Sequence, residues 1–322
     1  MVPVPPPDPY PIIPFRIPDF PARIIEQLGS KPKFWVRIPA DAGQPSLGLF
    51  KLTRPDTGEA WAERVAYGLA CELGLPCARY DLAVYTEAPP PLDSETRGVI
   101  SWSFLESGES LVHGNEVLAS IVTGYPVSTG GRFRRTPGHT VDVVLGQCDR
   151  VAYPIRWEPL PGLVTGADVM VGYLLLDAWI GNTDRHDENW GWVRAQSGEL
   201  HLAPTFDHSS SLGRNETDEN RQRRIVTTDP RFTVSAYAMR APAALHRPAD
   251  GRQLRTLEAF QRAAELRPNA ARAWLNRLAG VSSEQVEIAV RRVPAPWISP
   301  VARTFAVGIL TATRTSLLGL VE

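Results

Sequence analysis

Gly181-Asn182-Thr183-Asp184-Arg185-His186-Asp187-Glu188-Asn189, followed by Phe206-Asp207, decides the reading of this chain. It sets a carboxylate at Asp184, an amide five residues on at Asn189, and a second carboxylate eighteen residues after that at Asp207. Phosphoryl transfer from Mg-ATP uses such groups in this order: a carboxylate orients the attacking hydroxyl, and an amide oxygen and a carboxylate hold metal. Asp, Asn and Gly also populate ordinary polar loops at helix ends. The spacing therefore gains its meaning from what lies upstream.

Of the 34 basic residues, 31 are arginine and three are lysine: Lys31, Lys33 and Lys51. Lysine survives in an arginine-saturated chain where a compact point charge is needed, because the wider, planar guanidinium is no substitute. Lys51 stands at the end of the apolar strand predicted over Leu47 to Leu52, as a phosphate-binding lysine does in the small lobe of a kinase. A helix is predicted next. Asp56 and Glu59 read as a capping box, Trp61, Val65, Leu69 and Leu73 share one face, and Gly74 and Pro76 end it. Glu63 on this helix is the favoured partner for Lys51, with Glu59 one turn earlier as its competitor.

Gly29-Ser30-Lys31-Pro32-Lys33 precedes a strand predicted over Lys33 to Ile38 and is placed to cover phosphates; a plain turn suits the same residues. Further strands are predicted over Tyr80–Tyr85 and Gly98–Phe104, with the proline-rich loop Glu87 to Pro91 between them. The second strand leads out of the small lobe, where a kinase hinge offers backbone groups to adenine; an ordinary buried strand suits the same residues. A helix from Gly166 through Trp179 is capped by Gly181. A hairpin joins 189–194 to 200–203. Three amphipathic helices follow residue 250, the last opening at Ser299-Pro300.

The expected organisation is α+β and two-lobed. Residues 1–21, with nine prolines, form an extended arm rather than a packed element; 22–104 form a small β-rich lobe with one helix; 105–322 form a larger, mainly helical lobe. A net charge of −1 gives no general field for nucleic acid. No apolar run reaches the roughly 18 residues of a membrane helix. Three cysteines without metal-type spacing, and an N-terminus without signal-peptide character, point to the cytoplasm. The six histidines form neither H-x-x-x-H nor H-E-x-x-H, and no serine sits in G-x-S-x-G, which argues against zinc and α/β-hydrolase chemistry. His186 reads as a loop organiser or a second polar group near the transferred phosphate. Two arginine clusters, Arg132/Arg134/Arg135 and Arg214/Arg221/Arg223/Arg224, are solvated faces or, for the later one, a surface for an acidic partner.

These residues resemble the HipA-like kinases, bacterial Ser/Thr kinases known as toxins of toxin–antitoxin pairs. The likeness rests on Asp184-x-His186-x-x-Asn189, Leu202-Ala203-Pro204 before Phe206-Asp207, Phe50-Lys51-Leu52, and Glu63 followed by Cys71-Glu72-Leu73-Gly74-Leu75, over about residues 29 to 210. The Asp184-Arg185-His186 loop is also similar to that of phosphoinositide kinases. The resemblance implies a protein-kinase-like fold, ATP and Mg²⁺ as cofactors, and Asp184 as base. It implies Asn189 and Asp207 as metal ligands, Lys51 on the phosphates, hinge backbone at Trp102 and Phe104 to meet adenine, and a Ser or Thr hydroxyl of a protein as acceptor. It also implies a small DNA-binding antitoxin partner. The family's toxins carry a further N-terminal subdomain where this chain has the proline-rich arm, which weakens that last implication. Asp207 is followed by His208-Ser209 rather than Phe-Gly. A kinase of lipids or small molecules, and a nucleotide-binding module without turnover, are the alternatives.

Overall fold

The computed structural model describes residues 7–15, 33–38, 46–86, 95–125, 136 and 138–320. Gly29, Ser30 and Lys31, the loop Glu87 to Pro91, and Arg132, Arg134 and Arg135 lie outside the described residues.

The small lobe is built on strands β1 (Ile12–Phe15), β2 (Lys33–Ile38), β3 (Ser46–Leu52), β4 (Tyr80–Thr86) and β5 (Glu95–Trp102), with helix α1 (Glu59–Leu73). They form one five-stranded sheet in the order β1-β4-β5-β3-β2. Strand alternation divides its side chains between two faces. Phe50, Ile100, Tyr85 and Phe15 gather into an aromatic-rich core on one face. Leu82 and Val99 join the α1 residues Val65, Leu69 and Leu73 in the main core on the other. Lys51 alternates away from Phe50 and so faces the interior of the molecule. Gly98 is required at this point: a Cβ there would lie 2.3 Å from the Lys51 carbonyl oxygen and 2.7 Å from the Phe50 ring.

Two expectations for this lobe are corrected. The described part of the proline-rich arm, residues 7–15, does pack. Ile12–Phe15 pairs in parallel with Leu82–Tyr85, and Tyr10 is buried. Proline tolerates the edge position that β1 occupies because an edge strand leaves half its backbone groups unpaired. The Asp56–Glu59 capping box does not form. Asp56 takes a left-handed turn conformation with φ of 56°, and the helix starts only at Glu59, after Gly58, with no side-chain cap. Glu59 is drawn instead to Arg54 and Arg214.

The large lobe opens with β6 (Ser110–His113) and α2 (Gly114–Ala119), then α3 (Val141–Cys148) and α4 (Gly166–Ile180). Strands β7 (Gly191–Arg194) and β8 (Leu200–Leu202) complete a three-stranded sheet with β6. Next come α5 (Asp218–Val226), α6 (Val234–Ala238) and the strand pair β9 (Pro242–His246) and β10 (Gln253–Arg255). The chain ends in four helices rather than the expected three: α7 (Thr256–Leu266), α8 (Pro268–Gly280), α9 (Ser283–Arg291) and α10 (Pro300–Leu318). Arg267-Pro268 breaks what reads as one amphipathic run, since proline starts a helix but cannot continue one.

Helix α4 is the axis of this lobe. All fifteen of its residues are buried, and α7, α8 and α10 pack around it. Gly172 lets α8 approach, as a Cβ there would meet the Trp274 ring at 2.5 Å. Thr165 and Asp168 cap its start. Gly181, at φ of 64°, ends it in a left-handed cap. Only glycine takes that conformation without strain, and it turns the chain directly into the Asp184 loop. Among the described residues, no helix is long and apolar enough to cross a membrane, and Cys71, Cys77 and Cys148 are free thiols.

Candidate active site

The loop after α4 is held from beneath by a buried ion pair. Asp177 is the one charged residue in the body of α4, and a charge in such surroundings needs a partner. Arg185 supplies it through two bonds of 2.7 and 2.8 Å, and Asn182 adds a third at 2.8 Å. The same guanidinium reaches the Asn189 carbonyl at 2.7 Å and the Phe206 carbonyl at 3.4 Å. One planar, five-donor group thus ties the helix, the catalytic-type loop and the Asp207 segment together.

That anchor fixes the polar side chains above it. The Asn189 side-chain nitrogen donates to the Asp184 carbonyl at 2.7 Å, which turns the amide oxygen outward as the atom available to a cation. Asp184 accepts from the Ser210 hydroxyl at 3.2 Å. His186 accepts from the Glu188 amide through Nδ1 at 3.1 Å, so its Nε2 carries the proton and lies 4.0 Å from Asp184. Burial pushes the Asp184 carboxyl above the ordinary carboxylate range. His186 pulls against that shift and the nearby Asp207 charge adds to it.

Asp207 has φ of 60° and donates its backbone amide to the Tyr80 hydroxyl of β4 at 2.9 Å. Its carboxylate meets Lys51 at 3.2 Å. Burial works against the Lys51 ammonium, but Asp207, with Tyr80 and Glu63 behind it, outweighs that cost and raises its pKa.

The expected Lys51–Glu63 ion pair is not made. Glu63 is fully buried, and its Oε1 accepts from the His208 backbone amide at 2.6 Å. Its Oε2 has no hydrogen-bond partner among the described residues. Glu63 therefore holds the residue after Asp207, and Asp207 holds Lys51. Glu59, its competitor, serves a different link: Arg214 pairs with Glu59 and also donates to Ser210 at 2.9 Å. A chain Glu59–Arg214–Ser210–Asp184 thus connects the start of α1 to the loop of the other lobe.

Beyond β5, Phe104 stacks on Phe206 with ring centres 6.0 Å apart. A cavity of about 260 Å³ opens here between Phe104, Leu105, Glu106, Arg156 and Pro204. The two expected base-contacting positions differ. The Trp102 amide is already bonded to the Arg79 carbonyl at 3.0 Å, and its indole donates to Asp81 at 2.8 Å. Phe104 keeps a backbone N–H with no partner among the described residues, while its carbonyl accepts from Arg156 at 2.9 Å.

The structure thus brings Lys51, Glu63, Asp184, His186, Asn189 and Asp207 to one junction of the lobes, with Phe104 at its rim. Sequence reading did not single out Tyr80, Arg185, Ser210 or the linking role of Arg214. A signal existed for Arg185, since Asp177 is a lone charge in an apolar helix. Among the described residues there is no group of three or more His, Cys, Asp or Glu placed to hold a metal. The donor set fits a hard cation that retains waters: an outward amide oxygen at Asn189 and a partly exposed carboxylate at Asp207.

No protein-family model matches the chain, and no curated protein sequence does. Solved structures do. A proinflammatory kinase, CtkA of Helicobacter pylori, superposes with a TM-score of 0.63 at 18% identity, over 97% of this chain and 100% of that one. HipA of Shewanella oneidensis MR-1, from a toxin–antitoxin complex with HipB and operator DNA, gives 0.53 at 14% identity, over 93% of this chain and 65% of that one. At these identities the likeness is one of fold. The chain has the two-lobed α+β architecture of the HipA-like kinases, as its residues between about 29 and 210 imply.

Proposed function

We propose that the chain is an ATP- and Mg²⁺-dependent kinase that phosphorylates a Ser or Thr hydroxyl of a protein. The observation that carries the reading is the convergence of Lys51, Asp184, Asn189 and Asp207 from both lobes on one cleft. When bound, Mg²⁺ neutralises the phosphates and ATP supplies the phosphoryl group. Asn189 Oδ1 and the Asp207 carboxylate would hold the metal. Lys51 would then move its charge from Asp207 onto the phosphates, with the unpartnered Glu63 Oε2 ready to steady it. The Phe104 N–H would meet the base.

Asp184 orients the acceptor hydroxyl and takes its proton as the oxygen attacks the γ-phosphorus and the bond to ADP breaks. Burial, which raises its pKa above the ordinary carboxylate value, makes it a stronger base than an exposed carboxylate. His186 Nε2–H, close to Asp184, points the loop's one ring donor at the same region. The proposed compartment is the cytoplasm. A small DNA-binding partner, as HipB is for the Shewanella protein, is proposed on the fold likeness alone.

Transfer of ³²P from labelled ATP to the chain itself or to proteins of a host lysate tests the reading. Activity should need Mg²⁺ and vanish in Asp184→Asn and Asp207→Asn. Transfer that survives both changes removes the mechanism. ATP binding without turnover under any metal identifies a non-catalytic nucleotide-binding module, and labelled lipid or small-molecule acceptors identify a different substrate class.

A further inference from the structure

A second cavity, of about 220 Å³, lies beside the Asp184 loop, on the large-lobe side. Thr183 and Ser210 form its inner wall, and Arg214, Arg224, Tyr237 and Arg240 surround the rest. Thr183 directly precedes Asp184, and Ser210 is hydrogen-bonded to it. The space therefore adjoins the Asp184 loop through Thr183 and Ser210, although Asp184 itself does not line it.

Its three cations are held differently. Arg214 is fixed by Glu59 and Ser210. Arg224 pairs with Glu216 at 3.1 Å and lies over the rings of Phe232 and Tyr237, at 4.3 and 4.8 Å from their centres. Aromatic faces fix a guanidinium without using all of its donors. Arg240 is exposed and makes no ion pair or hydrogen bond through its side chain among the described residues. Arg214 and Arg224 thus have carboxylate partners in Glu59 and Glu216, whereas Arg240, exposed, has no ion pair among the described residues. Asp229 feels the Arg240 charge, and its carboxylate is engaged with Arg231 at 3.2 Å.

We propose that this cavity is the acceptor-recognition subsite and that it takes an acidic peptide: the hydroxyl presented to Asp184 is flanked by Asp or Glu, whose carboxylate pairs with Arg240 and is backed by Arg224. The cluster Arg214/Arg221/Arg223/Arg224, which sequence alone leaves between a solvated face and a binding surface, is thereby divided. Arg214 and Arg224 line the subsite. Arg221 is turned into the fold, donating to Asp218 and to the Gly213 carbonyl. Arg223 lies against Phe232.

The inference rests on the kinase reading, so its test is made by binding, without nucleotide. Fluorescein-labelled serine peptides with glutamate, alanine or lysine neighbours are titrated with the full chain and followed by anisotropy. The glutamate peptide should bind at least 10-fold tighter than the alanine peptide and weaken between low and high salt. Arg240→Glu should bring it to or below the alanine peptide. That exposed change should leave the thermal melt unaltered, and Arg240→Gln should give an intermediate loss. Equal binding of the three peptides, or a glutamate preference that Arg240→Glu leaves intact, overturns the proposal. ATP turnover, measured separately, decides the kinase reading whichever way binding falls.

Discussion

Lys51 and Asp207 hold each other across the cleft at 3.2 Å, while the buried Oε2 of Glu63 is left without a partner. A nucleotide-bearing cation would compete for the Asp207 carboxylate, and the displaced ammonium has a carboxylate waiting. On the proposed function, the three residues would exchange partners when nucleotide binds. Lys51→Met should lower kcat/KM for phosphoryl transfer by at least 100-fold. Lys51→Arg should restore little, since the position requires a point charge in a narrow space beside Tyr80. Steady-state kinetics of the three proteins check this. An arginine variant with near wild-type turnover would contradict the role given to Lys51.

Arg185 should be the most stability-critical polar residue of the loop. Removing one member of a buried, hydrogen-bonded ion pair strands the other charge and costs about 3–5 kcal/mol. Arg185→Ala would strand Asp177 within α4 and release the Asn189 and Phe206 carbonyls. Urea unfolding should show a loss of that size. Asp177→Asn/Arg185→Leu should lose less than the sum of its two single changes, because the two residues act as one unit.

The four residues on which the functional reading rests were legible because each carries chemistry in its local pattern: a lysine at the end of an apolar strand, an Asp and Asn five apart after a glycine-capped helix, and an Asp after a hairpin. The strands of the small lobe were legible from period-two alternation, and α4 from its apolar run between Thr165 and Gly181. What stayed hidden depends on pairing across distance. A spacing of twelve residues between Lys51 and Glu63 does not reveal that Asp207 will reach the lysine first. The Arg214 link to Glu59 joins positions 155 residues apart and leaves no local trace. The arm's proline content masked a parallel pairing with β4 that depends on its alternate apolar residues.

Tyr10 shows how much that arm contributes. Its ring lies 3.7 Å from the Arg64 guanidinium and 4.6 Å from that of Arg292, and its amide donates to the Arg292 carbonyl at 2.7 Å. Two Arg64 nitrogens have no hydrogen-bond partner among the described residues; their burial is offset by the Tyr10 face together with the Asp81 carboxylate, 3.8 Å from Nε. Tyr10→Ala should cost about 3 kcal/mol, in the range for emptying a buried aromatic site. Tyr10→Phe should cost under about 1 kcal/mol by retaining the ring. Chemical denaturation of the two variants checks the order, and equal losses would remove the ring contact as the cause.

His139 should give the fold an acid-sensitive step. It is fully buried, accepting from the Trp190 indole at 3.0 Å and bonded to the Ala244 carbonyl at 2.8 Å. Burial holds its pKa down to about 4, against an ordinary 6.5. A depressed histidine contributes stability above the unfolded value and loses it as pH falls, so the loss should run from about 6.5 to about 4, on the order of 3 kcal/mol. His139→Gln, which can keep one bond and cannot titrate there, should flatten the melting temperature over that window. An unchanged slope would show that other groups carry it.

Asp184→Asn should separate stability from activity. Burial raises the Asp184 pKa above its unfolded value near 3.9. The folded state therefore binds the extra proton between those two values, and the contribution to stability is complete below about pH 4 and is lost as pH rises through the folded pKa. At pH 7 the ionised carboxylate is a net cost. An amide of the same shape can still accept from Ser210 and carries no charge, so Asp184→Asn should melt higher than the parent at pH 7, with the gain shrinking toward pH 4. Phosphoryl transfer should fall by about 100-fold or more, because the acceptor's proton loses its base. In the parent protein, the acid limb of kcat/KM should lie above the ordinary carboxylate range for the same reason. A variant that melts lower than the parent at pH 7 would show that the carboxylate is held by attraction rather than against burial, and the assignment of Asp184 as a poised base would fail with it.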